Sequence, residues 1–344
     1  MTCHSYAGKV FLTCLRTFKR YIPRFKRFTI FNSEERGIIP RPSKLEYCKF
    51  NETRDKTRTK EGRGVEPLHH IRVTTRKLRN AFRIFKDVFP QKRVIQWKNS
   101  LRQLGQVSSA ARDLDIQIIF LGSFKRNPIS KKFLQVISLL QERLKVRRQR
   151  LQPQIVRSLN RLEKSQTLDQ LEIFLKKISL SSEENAAEDI RNLAQKRIAK
   201  RLKKIFAYQV YVDRPECSEQ LHQLRIAVKH LRYTLENFEL LYGQKISAHI
   251  ESVRSVQSVL GKLHDYDVWI ATLPKYYKKG KGHEGWNEVI EDLLAECRRS
   301  RGLTYREFHE LWYHLKQKYF WQDLRKILRL NVSTQFIDHA GNGD

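Results

Sequence analysis

The chain has 344 residues, of which 68 are Lys or Arg and 36 are Asp or Glu, giving a formal net charge of +32 and a sequence pI of about 10.1. Self-repulsion on that scale opposes a compact state unless an anion offsets it, so the expected partner is a polyanion: nucleic acid, an anionic membrane surface or inorganic polyphosphate. No run of about 18 apolar residues is present to cross a membrane, and the five cysteines show no C-x-x-C spacing, which argues against a disulfide framework or a zinc site.

Residues 1–65 differ from the rest. No acid occurs before position 33, and Lys9, Arg16, Lys19, Arg20, Arg24, Lys26 and Arg27 alternate with Val10, Phe11, Leu12, Leu15, Phe18 and Phe25. Interrupted by Pro23, Pro40 and Pro42, this segment reads as a basic, disordered arm. A transit peptide or an arm lying on an anionic membrane is the alternative. The stretch 51–64 reads as a linker.

A long helix is predicted from Pro67, which suits an opening turn, to the break at Pro90. Helical patterns follow over 91–121 and 129–151, a kink or restart at Pro153, and short helices over 154–164 and 168–178. Ser181 and Glu184 have capping-box spacing ahead of a helix reaching about Tyr211. The remaining segments are 216–241, 246–273, a Lys- and Gly-rich loop to Gly285, then helices over 286–299 and 303–330 and a polar tail over 332–344. No strand pattern emerges. The expected fold is all-α: an internally duplicated pair of antiparallel four-helix bundles, with halves at 66–212 and 213–331.

The duplication rests on two segments that align without a gap. At about 100° per residue, His69, Arg72, Arg76, Arg79 and Arg83 fall within roughly 80° on one helix face, beside an apolar face carrying Ile71, Leu78, Phe82 and Phe85. In the second copy His222, Arg225, Lys229 and Arg232 take the same positions, beside Leu224, Val228, Leu231 and Leu235. Helix propensity explains cations anywhere on a surface, but not the same basic positions twice. Arg83 is matched by Glu236, so one end of the first ladder is expected to be the more cationic.

Each ladder is followed by an Asp-x-Asp element: Asp113 and Asp115 in the first half, Asp265 and Asp267 in the second. Carboxylates two residues apart on a helix do not share a face. Asp113 and Asp265 are therefore expected to hold basic side chains of the preceding helix in place rather than to act as an acid/base pair.

The doubled His-x-x-Arg-x-x-x-Arg/Lys-x-x-Arg pattern with its Asp-x-Asp element resembles the CHAD family, the conserved histidine α-helical domain, over about 66–330. That resemblance implies two four-helix bundles related by a pseudo-two-fold axis, with a basic groove between them that binds inorganic polyphosphate. Carried over by position, the binding set is His69, Arg72, Arg76, Arg79, His222, Arg225, Lys229 and Arg232, with Lys77, Arg83 and Arg112 as further candidates. The chain departs from the pattern where Arg112 is matched by His264, and where Ser108 and Ser109 replace Leu260 and Gly261, with Leu104 and Gly105 lying four residues upstream. The triphosphate-hydrolysing domain often attached to the family has no counterpart here.

The resemblance implies binding without catalysis, and neither cofactor nor metal is expected. Polyphosphate carries regularly spaced charge and no base edges, so rows of Arg, with bidentate contacts, and of Lys, as point charges, suit it. Nucleic acid is the main rival, although the sequence carries no helix-turn-helix or RRM signature. A metal-dependent phosphohydrolase using His69, His222, Asp113, Asp115, Asp265 and Asp267 is a weaker one, because neighbouring Arg and Lys repel a divalent cation. Free thiols point to a reducing interior, cytoplasmic or at polyphosphate granules, with organelle targeting by the N-terminal segment as the alternative.

Overall fold

The computed structural model describes residues 2–34, 65–124, 130–180, 187–279 and 285–329, and among them there are helices and no strands. They form ten α-helices in two compact units, 1–183 and 184–344. None is long and apolar enough to cross a membrane. The linker 51–64, Pro40 and Pro42, the capping pair Ser181 and Glu184, and the tail 332–344 lie outside the described residues.

The first unit contains α1 (Cys3–Glu34), α2 (Val65–Ile84), α3 (Gln91–Ser123), α4 (Lys131–Lys164) and α5 (Thr167–Ser179). The largest departure from the sequence reading is α1, which overturns the assignment of the N-terminal segment to a disordered arm as far as residue 34. Phe11, Phe18 and Phe25 recur every seven residues and return to one face at 100° each, and they and Tyr6 are at most 1% exposed. Helix α1 packs on α2 and α5. Phe11 meets Phe82 edge-on at 4.7 Å and Phe89 at 4.9 Å, and Phe89 lies 5.7 Å from Phe174 of α5. Gly8 permits the approach to α5, since a Cβ there would lie 2.8 Å from the Cβ of Ser179. Ser5 Oγ also donates to the Ser179 carbonyl at 3.0 Å. Pro23 is exposed and sits inside the helix, where the loss of one backbone hydrogen bond is outweighed by the buried face on either side.

A second correction concerns Pro153. Helix α4 runs through it without restarting, because Leu144, Ile155, Leu159 and Leu162 keep one buried stripe across the proline while the ring faces solvent.

The second unit contains α6 (Ala187–Phe206), α7 (Ser218–Tyr242), α8 (Gln244–Thr272), α9 (Trp286–Gln317) and α10 (Phe320–Ile327). The boundary expected near 212 lies at 183/184, because α6 packs on α7 through Ile190, Ala194, Ile198 and Leu202. Each unit thus places one helix ahead of its basic helix, five described helices rather than the expected four. Helix α9 continues through Gly302, carried by Cys297, Thr304, Phe308 and Trp312 on its buried side. The chain turns instead at Tyr319, whose φ of 51° is left-handed. There Trp321 closes the core against Trp312 at 5.5 Å and Phe206 at 5.6 Å.

Candidate functional site

In the first unit the ladder lies along α2, whose apolar side, Leu68, Ile71, Leu78, Ala81 and Phe82, is buried against α1 and α3. His69, Arg72, Arg76, Lys77 and Arg79 are half-buried at the rim of that core and Arg83 is exposed. Burial, followed by the charges of Arg112, His70, Arg72 and Arg76, pushes the His69 imidazole down to about 3. The Arg112 charge from α3 thus acts at the His69 end of the ladder.

At the other end, burial and then Arg83, Arg102 and Arg76 lower the proton affinity of the Arg79 guanidinium, and every charge acting on it is cationic. Gly105 of α3 makes room for this side chain: a Cβ there would lie 3.3 Å from Arg79 Nη1 and 3.4 Å from Thr75 Cγ2. The glycine that looked displaced in the sequence thus serves Arg79 rather than the Asp-x-Asp element. Ser108 takes up its own hydroxyl by donating to the Leu104 carbonyl at 2.7 Å.

In the second unit His222, Arg225, Lys229 and Arg232 are half-buried along α7. His222 Nδ1 lies 2.9 Å from Nδ1 of His264 on α8, with ring centroids 4.0 Å apart. Burial and the Arg225 charge come first in holding both imidazoles below the ordinary range. His264 is brought to about 4, with Glu219 opposing in both cases. The other end differs from the first unit: Glu236 Oε1 pairs with Arg232 at 3.5 Å and Arg254 of α8 at 3.7 Å. The Arg232 guanidinium also lies 4.8 Å from the Tyr233 ring centroid.

The second member of each Asp-x-Asp element forms an ion pair to the helix that follows. Arg148 Nε of α4 donates to Asp115 Oδ1 at 2.9 Å, and Arg301 Nε of α9 donates to Asp267 Oδ1 at 2.5 Å. Arg301 also donates to the Pro215 carbonyl at 2.8 Å, just ahead of α7. Asp113 is exposed and Asp265 half-buried. Four arginines that the sequence does not assign to the site belong to this surround: Arg102 and Arg254 beside the ladders, Arg148 and Arg301 behind the aspartates. Each pair recurs in the register of the two copies, a signal that extending the alignment past the ladders would have exposed. Among the described residues no group of three or more His, Cys, Asp and Glu could hold a metal ion.

Each unit thus carries along one helix a half-buried row of nitrogen donors at helical spacing. Two solved structures share the fold over most of the chain. The crystal structure of the CHAD domain from the plant Ricinus communis matches at TM-score 0.56 and 17% identity, over 97% of this chain and 93% of that one. PptA from Streptomyces chartreusis matches at TM-score 0.57 and 12% identity, over 91% and 99%. No curated protein sequence matches the chain. The CHAD domain family model matches residues 50–274, which span both ladders and both Asp-x-Asp elements, and the chain belongs to the CHAD domain family.

Proposed function

We propose that the protein binds inorganic polyphosphate through the α2 and α7 ladders and does not catalyse a reaction on it. The observation that carries this reading is the cationic crowding at Arg79, where burial and three neighbouring arginines act in the same direction. Charges so placed repel one another until an anion is bound, and a polymer with charge at short intervals relieves several at once. Family membership supports the same ligand. The ion pairs at Asp115 and Asp267 favour binding over hydrolysis, since each engages a carboxylate that a metal-dependent phosphohydrolase would need.

The test is a binding isotherm with polyphosphate of defined length on the wild type and on an Arg72→Ala/Arg225→Ala variant, with nucleic acid as competitor at fixed salt. The variant is expected to bind at least tenfold more weakly. Equal affinity in both proteins, or displacement of polyphosphate by a lower concentration of nucleic acid, overturns the assignment. Phosphate release from polyphosphate with Mg²⁺ or Mn²⁺ overturns the non-catalytic part of it.

A further inference from the structure

A second basic row runs along the outside of α1. At about 100° per residue Lys9, Arg16, Arg20 and Arg27 lie within roughly 40° of one another, and all four are exposed. The row spans about 27 Å of helix axis. Its cations differ in their neighbours from Lys19 and Lys26 of the same helix. Lys19 pairs with Asp169 and Glu172 of α5, and Lys26 pairs with Glu163 at the end of α4, on the flank where α1 packs. Among the described residues none of Lys9, Arg16, Arg20, Arg24 and Arg27 forms an ion pair.

The row connects to the α2 ladder. Helices α1 and α2 run antiparallel, with Tyr6 opposite Phe85 at 6.1 Å and Tyr21 stacked on His70 at 4.0 Å and 8°. The Arg24 guanidinium lies 5.3 Å from the Tyr21 ring centroid, and the His70 ring is 5.9 Å from that of His69. Arg24, Tyr21 and His70 therefore lead from the Arg27 end of the row to the first residue of the ladder.

We propose that the α1 row is a second track for polyphosphate, continuous with the α2 ladder across the Arg24–Tyr21–His70 bridge, so that the first unit grips more of a long polymer than the ladder alone. This rests on the polyphosphate reading above. A linear polyanion fits better than a lipid surface because the apolar face of α1 is consumed by the core, leaving no stripe to enter a bilayer.

The experiment uses the full chain, an Arg16→Gln/Arg20→Gln/Arg27→Gln row variant, and a Lys92→Gln/Arg93→Gln/Lys177→Gln control with the same change in charge at exposed sites off the row. Each is titrated with tripolyphosphate, with long-chain polyphosphate over a range of salt, and with phosphatidylserine vesicles. The row variant is expected to keep its affinity for tripolyphosphate and to bind long chains about tenfold more weakly, with a salt slope smaller by about 2 for three lost contacts. The control is expected to change far less. Unchanged long-chain affinity and slope in the row variant, or an equal loss in the control, overturns the second track and leaves the ladders standing. Vesicle binding that depends on the row while long-chain binding does not assigns it to lipid and overturns the track too. A wild type that binds neither polyphosphate removes both proposals.

Discussion

His222 and His264 face each other through their Nδ1 atoms at 2.9 Å, so one ring donates a proton to the lone pair of the other. The pair can hold one proton between these atoms but not two. His264 is held at about 4 and His69 at about 3, each by burial first and neighbouring cations second. Free histidine titrates near 6.5, so the unfolded chain takes up protons before the folded one as pH falls. Stability from these groups is thus complete above about pH 6.5 and declines as pH drops towards 4. The melting temperature of the free protein is expected to fall across that window, and His264→Gln to flatten the fall.

Polyphosphate reverses the balance at these rings. An anion beside an imidazole favours its charged form and raises its pKa. Binding should then take up protons and tighten as pH falls towards the values of about 4 and 3 that His264 and His69 hold in the free protein. Calorimetry in two buffers of different ionisation enthalpy measures the uptake directly. Binding without proton uptake as pH is lowered to about 4 would mean that the histidines pack the helices without touching the ligand.

The two ladders differ at one end, where Glu236 pairs with Arg232 and Arg254 while Arg83 occupies the matching position in the first copy. Glu236 is 12% exposed on its side chain, so its charge is poorly screened and offsets the two arginines near it. Glu236→Gln keeps the shape and removes the charge. Polyphosphate affinity is expected to rise about three- to tenfold, equivalent to roughly 1 kcal/mol, with a steeper salt dependence. Arg83→Gln should move both quantities the other way.

The ladders were legible in the sequence because a basic residue recurring in register beside an apolar one has no propensity explanation. The same logic reached Asp113 and Asp265 but not the carboxylates two residues on, Asp115 and Asp267. Their partners, Arg148 and Arg301, stand more than thirty residues downstream, on helices whose packing a single sequence does not display. Helix α1 was misread for a related reason. Phe11, Phe18 and Phe25 show the period, but a basic helix looks like an arm until Asp169, Glu172 and Glu163 are seen to meet its lysines. Pro153 misled through a rule that holds for isolated helices and yields to a long buried stripe.

The Asp115–Arg148 pair leaves the aspartate 13% and the arginine 17% exposed, and the Asp267–Arg301 pair is similarly enclosed. Removing one partner strands the other, so Asp115→Ala and Asp267→Ala are each expected to destabilise by about 2 kcal/mol. Replacing both members of a pair should cost less than the two single changes added together, the signature of direct coupling. Urea unfolding of the four proteins in each cycle measures this. Additive losses would place the aspartates elsewhere in the energetics of the fold.

The reassignment of the N-terminal segment has the largest expected effect. Phe11 and Phe18 are fully buried in α1, and Phe11 is in ring contact with Phe82, Phe85 and Phe89. Truncating either to Ala should destabilise the protein by about 3–5 kcal/mol. Deleting residues 1–34 would uncover the apolar sides of α2 and α5 together, so it should abolish cooperative unfolding of the first unit. A disordered arm predicts instead that the deletion leaves folding intact and lowers affinity only through lost charge. Amide exchange separates these outcomes: Val10, Leu15 and Ile22 should exchange as slowly as Ile71 and Leu78, whereas an arm would exchange within the dead time.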